Sequence, residues 1–262
     1  MVVGRSPLLL VITFLAILGL WLGFSVDRVI RTAGPRAMVL LVSLPPINAL
    51  LDLNFLVGGR TVSQAQRLAS SFGLVLVRAA LMSVWISLIL ESLQRDPSLI
   101  RVRFALLRAV RSYISMLGVE VGFLVGTEIL SLVVASFLGP FGLVIVLGAV
   151  LYFFAYAPVI AVAEGMGTVR AAQLSVRAAR VPGRQHMLLV TTYLALALFV
   201  AVVSPGSRAA AATPSVAEWA FALFVGYLHV SVLAALAYRW PLIRGHALAA
   251  AAQGKQRASS RA

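Results

Sequence analysis

The sequence contains no cysteine among its 262 residues, which excludes a disulfide framework and metal sites built on thiolates. Charged residues are also scarce, because they make up 11% of the chain against about 25% in a typical soluble domain. Only 8 residues are acidic, and a hydrophobic content of 61% gives a mean hydropathy of +1.00. A water-soluble globule, a disordered tail and a coiled coil are therefore excluded. The composition predicts an integral membrane protein.

Signatures of enzyme chemistry are missing as well. The sequence has no H-E-x-x-H, G-x-S-x-G or Walker sequence, and its three histidines, His186, His229 and His246, lack the spacing of paired metal ligands. We therefore predict a protein that is not an enzyme and that needs no cofactor or metal. The net charge of +14 does not predict a nucleic-acid partner, because the basic residues are distributed between apolar runs, where they set membrane topology.

Seven apolar runs are long enough to cross a hydrocarbon core about 30 Å thick. They are 7–25, 37–57, 71–93, 112–137, 140–163, 187–204 and 216–238. The predicted fold is an all-α polytopic helix bundle, with one transmembrane domain over 1–238 and a basic, partly disordered tail over 239–262. The second run contains Pro45-Pro46, Asn48 and Asp52, so a re-entrant segment that leaves six spans is the alternative.

The basic residues fix the predicted orientation. Of the 22 lysines and arginines, 17 fall on one set of alternate connections and 4 on the other. By the positive-inside rule this places the amino terminus outside and the carboxyl terminus in the cytoplasm. Tyr238 and Trp240 lie at the inner end of the seventh run, where aromatic residues mark a membrane boundary. Lys255 is the only lysine, a bias typical of GC-rich prokaryotic genomes, so we expect a prokaryotic inner-membrane protein.

Two features predict how the central spans pack. The joint at Leu138-Gly139-Pro140 is so short that the runs on either side must form an antiparallel hairpin. Gly118, Gly122 and Gly126 form a stripe of small residues along one face of the fourth span, which favours close helix packing within the monomer over dimerisation.

Two basic stripes predict contact with lipid headgroups. Both have the spacing i, i+7, i+10, which brings three arginines onto one side of a helix: Arg101, Arg108 and Arg111, then Arg170, Arg177 and Arg180. Such a helix lies in the membrane interface with its arginines at phosphate level. The alternative is that the stripes are topology determinants and cytoplasmic extensions of spans four and six.

Ionisable residues inside spans are costly and are functional candidates by default. The candidates are Asp52, Arg78, Glu120, Glu128 and His229. At a rise of 1.5 Å per residue, Asp52, Arg78 and Glu128 lie at similar depths in the outer half of the predicted bundle. We therefore expect Arg78 to pair with Glu128, Asp52 or both. Glu120 and His229 share a depth in the inner half. The alternatives are structural pairs, a proton- or ion-linked pathway, and an arginine that reaches outward to headgroups.

One stretch resembles a known group of membrane proteins. It runs as P-x5-E-G-x-G-x3-A-x3-S-x4-R-x2-G, with the residues Pro158, Glu164, Gly165, Gly167, Ala171, Ser175, Arg180 and Gly183. It is similar to a loop in polytopic prokaryotic membrane proteins that include the membrane domain of some glycerophosphoryl diester phosphodiesterases. The resemblance implies a helical membrane domain without established chemistry. It does not imply phosphodiesterase activity, because these 262 residues hold no His- and Glu-rich catalytic domain.

These observations favour a non-enzymatic membrane scaffold or accessory subunit in contact with anionic lipid. The alternative is a transporter, channel or permease component that uses its intramembrane charges. Anionic headgroups are the expected partners, with a protein partner or a second copy of the chain as further possibilities.

Overall fold

The computed structural model describes residues 64–94, 102–181, 184–203 and 216–259, and within them it is all-helical, as predicted. The helices of this part of the chain are α1 (Gln64–Gln94), α2 (Val102–Phe154), α3 (Ala157–Glu164), α4 (Thr168–Ala179), α5 (Arg184–Val203) and α6 (Val216–Ser259).

Three stretches of these helices are long and apolar enough to cross a membrane. They are Val75–Leu93, Val102–Gly126 and Val144–Glu164, which overlap the predicted spans 71–93, 112–137 and 140–163. The predicted spans 7–25 and 37–57, and Asp52 with them, lie outside the described residues. The predicted spans 187–204 and 216–238 fall on α5 and α6 and stay predictions.

Helix α2 reverses its direction part-way along its length. The rings of Phe123 and Phe154 are in contact, with centroids 5.7 Å apart, whereas about 30 residues of straight helix would separate them by about 45 Å. The two rings are almost equidistant in sequence from Leu138-Gly139. The hairpin predicted at this joint is therefore confirmed, although helical structure continues through it. We call the parts before and after the joint the first and second arms of α2.

Helix α1 packs along the first arm of α2 through a mostly apolar seam. Large side chains of α1 are fully buried there, among them Met82, Trp85 and Ile86. The first arm presents small residues at helical spacing, with Ala105 and Ala109 buried at its start. Large residues on one helix against small residues on the other let the two axes approach closely.

Helix α3 is short, but it lies at the centre of the described core. A turn at Ala155 and Tyr156 interrupts the second arm of α2, and Pro158 then occupies the first turn of α3, where a missing N–H is tolerated. All residues from Ala157 to Val162 are buried. The helix ends at Gly165, whose φ of 62° lies in the left-handed region that glycine adopts without strain.

Helix α6 continues well past the predicted boundary at residue 238. It remains helical to Ser259, with Pro241 inside it. Trp240, Ile243 and Ala247 are buried against the other helices. The predicted basic tail therefore starts within a packed helix, and Trp240 faces the core rather than a membrane boundary.

Candidate functional site

An ion pair lies completely enclosed between α1 and α2. The Nε of Arg78 donates to Oε2 of Glu120 at 2.9 Å, and neither side chain has any exposed surface. Both residues make further interactions beyond this bond. The predicted difference in depth between Arg78 and Glu120 is therefore wrong.

The error came from the assumed start of the helix. The predicted fourth span starts at residue 112, but α2 begins at Val102. A second and looser pair, Arg108 to Glu91 at 3.9 Å, joins the same two helices. In each pair, the two residues lie at similar distances along the sequence from the connection 95–101, as expected for an antiparallel hairpin.

His229 has a different partner from the one predicted. Its Nδ1 lies 2.8 Å from the hydroxyl of Tyr193, and this contact joins α6 to α5. Both side chains are buried. His229 thus pairs with Tyr193, and Glu120 pairs with Arg78, although the sequence predicted similar depths for His229 and Glu120. The side chain of Glu128 lies outside the described residues.

Helix α4 is fixed to both arms of α2 by hydrogen bonds at its beginning, middle and end. Thr168 Oγ1 donates to the Ser115 carbonyl at 3.0 Å, and Ser175 Oγ donates to the Phe153 carbonyl at 2.9 Å. The Tyr152 hydroxyl donates to the carbonyl of Ala179 at 3.2 Å. Ser175 therefore bonds to a neighbouring helix.

The second basic stripe lies on α4, on the side away from this packing. Ala171, Leu174 and Ala178 are buried, whereas Arg170 and Arg180 are exposed and Arg177 is half-buried. Helix α4 ends at Ala179 and α5 begins at Arg184, so α4 is a helix of its own and not an extension of span six.

The first basic stripe has a different setting. Arg101 lies outside the described residues, while Arg108 and Arg111 lie on α2 within the candidate span Val102–Gly126. Arg108 is half-buried beside Glu91, and Arg111 is exposed. The interfacial position of this stripe and the alternative of a cytoplasmic extension both stay predictions.

The residues of the family-like loop form the junction between α3 and α4. Pro158 lies in the first turn of α3 and Gly165 follows its last residue, while Gly167, in extended conformation, precedes the first residue of α4. Gly183 lies outside the described residues. The resemblance itself stays a prediction.

Glu164, also in this loop, joins α3 to α6. Its carboxylate accepts hydrogen bonds from the Trp240 indole Nε1 at 2.9 Å and from Arg244 at 2.8 Å. The motif thus places a single carboxylate where it fixes the position of the last helix.

The three glycines of the predicted stripe differ in their surroundings. A Cβ at Gly118 would collide with the side chain of Thr168, so this glycine admits the start of α4. A Cβ at Gly122 or Gly126 would meet nothing within 4 Å in the described part of the chain.

A cluster of polar side chains lies where α2, α5 and α6 meet. The rings of Tyr156 and His186 are stacked with centroids 5.2 Å apart, and both residues are buried. The Nε2 of His186 lies 2.7 Å from the Tyr152 carbonyl. Because a carbonyl only accepts, this nitrogen holds the proton, and Nδ1 of the neutral ring is an acceptor.

Arg239 completes this group, which we call the Tyr156 cluster (Tyr156, His186 and Arg239). Burial lowers the pKa of His186, the hydrogen bond to the Tyr152 carbonyl raises it, and the charge of Arg239 lowers it further. The same guanidinium acts electrostatically on Tyr156. The Tyr156 hydroxyl, His186 Nδ1 and Arg239 Nη1 are buried without a hydrogen-bond partner in the described part of the chain. An unsatisfied buried polar atom costs about 1–3 kcal/mol.

Sequence patterns had not singled out the Tyr156 cluster. Its members are widely separated along the chain, and His186 was considered only as a metal ligand. Within the described ranges, no group of three His, Asp or Glu residues could hold a metal ion. Comparison of the chain with protein-family models, with curated proteins and with solved structures finds no match.

Proposed function

We propose that this protein is a non-enzymatic scaffold or accessory subunit of a prokaryotic inner membrane, and that α4 binds anionic lipid headgroups. The observation that supports this most directly is the division of α4 into two faces. One face is buried and hydrogen-bonded to α2, and the other presents Arg170, Arg177 and Arg180 away from the core.

Apolar side chains near these arginines suit the same environment. Val169 on α4 is 71% exposed, and Met187 and Leu188 at the start of α5 are 66% and 69% exposed. Arginines beside exposed aliphatic groups match the boundary between phosphates and acyl chains, where a helix lies with both in contact.

The proposal is tested by the lipid that stays bound after purification. Each arginine near an anionic surface contributes about 1 kcal/mol, so removing three should lower the preference for anionic lipid about 100-fold. The test variant combines Arg170→Gln, Arg177→Gln and Arg180→Gln, and native mass spectrometry compares retained phosphatidylglycerol with phosphatidylcholine.

A matched control removes the same charge from the carboxyl-terminal tail by Lys255→Gln, Arg257→Gln and Arg261→Gln. We expect this control to keep the lipid preference of the parent chain. Equal retention of phosphatidylglycerol by both triple variants would contradict a role for α4.

A second proposal, a transporter or channel component, is supported by the enclosed pair of Arg78 and Glu120. Charges at such depth mark ion and proton pathways in many membrane proteins. Proteoliposomes loaded with a pH-sensitive dye test this possibility under an imposed potential. Proton entry that Glu120→Gln abolishes supports transport, and the absence of entry in the parent chain contradicts a proton pathway.

A further inference from the structure

Three buried polar atoms, on the turn between α2 and α3, on α5 and on α6, have no hydrogen-bond partner in the described part of the chain. Two are donors, the Tyr156 hydroxyl and the Arg239 Nη1, and the third, His186 Nδ1, is an acceptor while the ring is neutral. The side chains are held in place, because the Tyr156 ring stacks on His186 and lies 6.5 Å from the ring of Trp240.

We propose that the Tyr156 cluster binds a phosphate group that still bears a proton, either inorganic hydrogen phosphate or a phosphomonoester headgroup such as that of phosphatidic acid. The charged oxygens of this group accept from Arg239 and Tyr156, and its P–OH donates to Nδ1 of His186. A phosphodiester has no such proton, so it satisfies the two donors but leaves the histidine nitrogen unpaired.

Hydrogen bonds connect the cluster to α4. The Tyr152 carbonyl contacts His186, and the hydroxyl of the same tyrosine holds the end of α4 at Ala179. The cluster is thus linked through one residue to the helix that presents the basic stripe. Arg239 is half-buried, and its Nη1 is enclosed.

Only binding of a lipid headgroup at this cluster rests on the proposed function, and binding of inorganic phosphate is independent of it. The test measures thermal stability of the full chain in detergent against inorganic phosphate, phosphatidic acid, phosphatidylglycerol and chloride at equal ionic strength. We expect a saturable rise in Tm with a proton-bearing phosphate and a weaker effect of phosphatidylglycerol. Saturation by inorganic phosphate identifies the free ion, and saturation by phosphatidic acid alone identifies the headgroup.

Two substitutions then locate the site. Tyr156→Phe keeps the stacked ring and removes only the hydroxyl, and Arg239→Gln removes the charge. Each should weaken binding about tenfold, as expected for a hydrogen bond to a charged group. Tyr238→Phe is the matched control, since Tyr238 is 62% exposed, and it should bind as the parent chain does.

The result distinguishes this site from the surface of α4. The triple arginine variant of α4 should keep its response to inorganic phosphate even where it loses phosphatidylglycerol. If no proton-bearing phosphate raises Tm, or if Tyr156→Phe responds as strongly as the parent, the cluster holds water only and the inference is wrong. The α4 proposal would survive that outcome.

Discussion

Arg78 and Glu120 are joined by a 2.9 Å bond that no solvent reaches, and they lie on two helices that run in opposite directions. Removing one member of such a pair leaves a buried charge without its main partner, which typically costs 3–5 kcal/mol. We expect Arg78→Ala and Glu120→Ala each to lower the free energy of unfolding in detergent by about this amount, and the double variant to recover part of the loss.

The looser pair of Arg108 and Glu91 serves as the control for this cycle. It is 3.9 Å apart with the arginine partly exposed, so its coupling energy should stay below about 1 kcal/mol. Additive effects of Arg78→Ala and Glu120→Ala would show that the two charges do not stabilise one another.

The hydrogen bonds of α4 to α2 predict which hydroxyls hold this helix in place. Thr168→Val and Ser175→Ala each remove a donor to a carbonyl of another helix, at an expected cost of about 1 kcal/mol. Hydrogen exchange of the α4 amides should accelerate in both variants. Ser231→Ala is the matched control, since Ser231 bonds only to Tyr227 on its own helix. Unchanged exchange in α4 would show that apolar packing alone fixes it.

The glycines of the first arm of α2 should respond unequally to alanine. Gly118→Ala places a methyl group against Thr168, so we expect a loss of about 1–3 kcal/mol from overpacking. Gly122→Ala and Gly126→Ala meet no described neighbour and should be neutral or stabilising by up to about 1 kcal/mol, as alanine favours helix. Equal destabilisation of all three in detergent unfolding would favour the continuous packing stripe.

His186 makes the stability of the protein depend on pH. Burial and the charge of Arg239 hold its pKa below the usual value of about 6.5. Below a pH of about 6.5 the unfolded chain binds a proton at this histidine that the folded chain does not bind. The free energy of unfolding therefore falls as the pH drops below this value, and it is fully retained at higher pH. In phosphate-free buffer, Tm should decline from pH 7.5 to 5.5, and His186→Gln should reduce the slope. If His246→Gln, at an exposed histidine, reduces the slope of Tm against pH as much as His186→Gln does, the slope does not arise from His186.

The charge asymmetry of the connections predicts membrane topology. Reporter fusions at Gly206 and Ala262 should give opposite results, periplasmic for the first and cytoplasmic for the second, because the positive-inside rule assigns them to opposite sides. The same location for both reporters would contradict the predicted arrangement of spans six and seven.

Much of the helical layout was accessible from sequence because its signals are local. A glycine and a proline between two apolar runs required the reversal in α2, and the spacing of Arg170, Arg177 and Arg180 predicted a two-faced helix. The partner of Arg78 was missed for a physical reason: the register of a helical hairpin depends on where its connection lies. Counting outward from 95–101, rather than from the edge of the apolar run, brings Arg78 opposite Glu120.

The Tyr156 cluster could not be predicted in the same way. Stacking of Tyr156 on His186 depends on the turn at Ala155 and on how α5 and α6 approach that turn. These relations arise only when three helices are in place, and no residue spacing within one helix encodes them.

The enclosure of α3 also sets an order of assembly. Its carboxylate at Glu164 is held by Trp240 and Arg244. Glu164 and Trp240 are 76 residues apart in the sequence. At roughly 5–20 residues per second, synthesis takes several seconds to reach the indole after the carboxylate has been made. During that interval α1 and the two arms of α2 have already been synthesised and can pair as hairpins. Helix α3 at the centre of the core still lacks its contacts with α6. The contacts of Glu164 with α6 therefore form only after the chain between Glu164 and Trp240 has been made, and the length of that segment sets the delay.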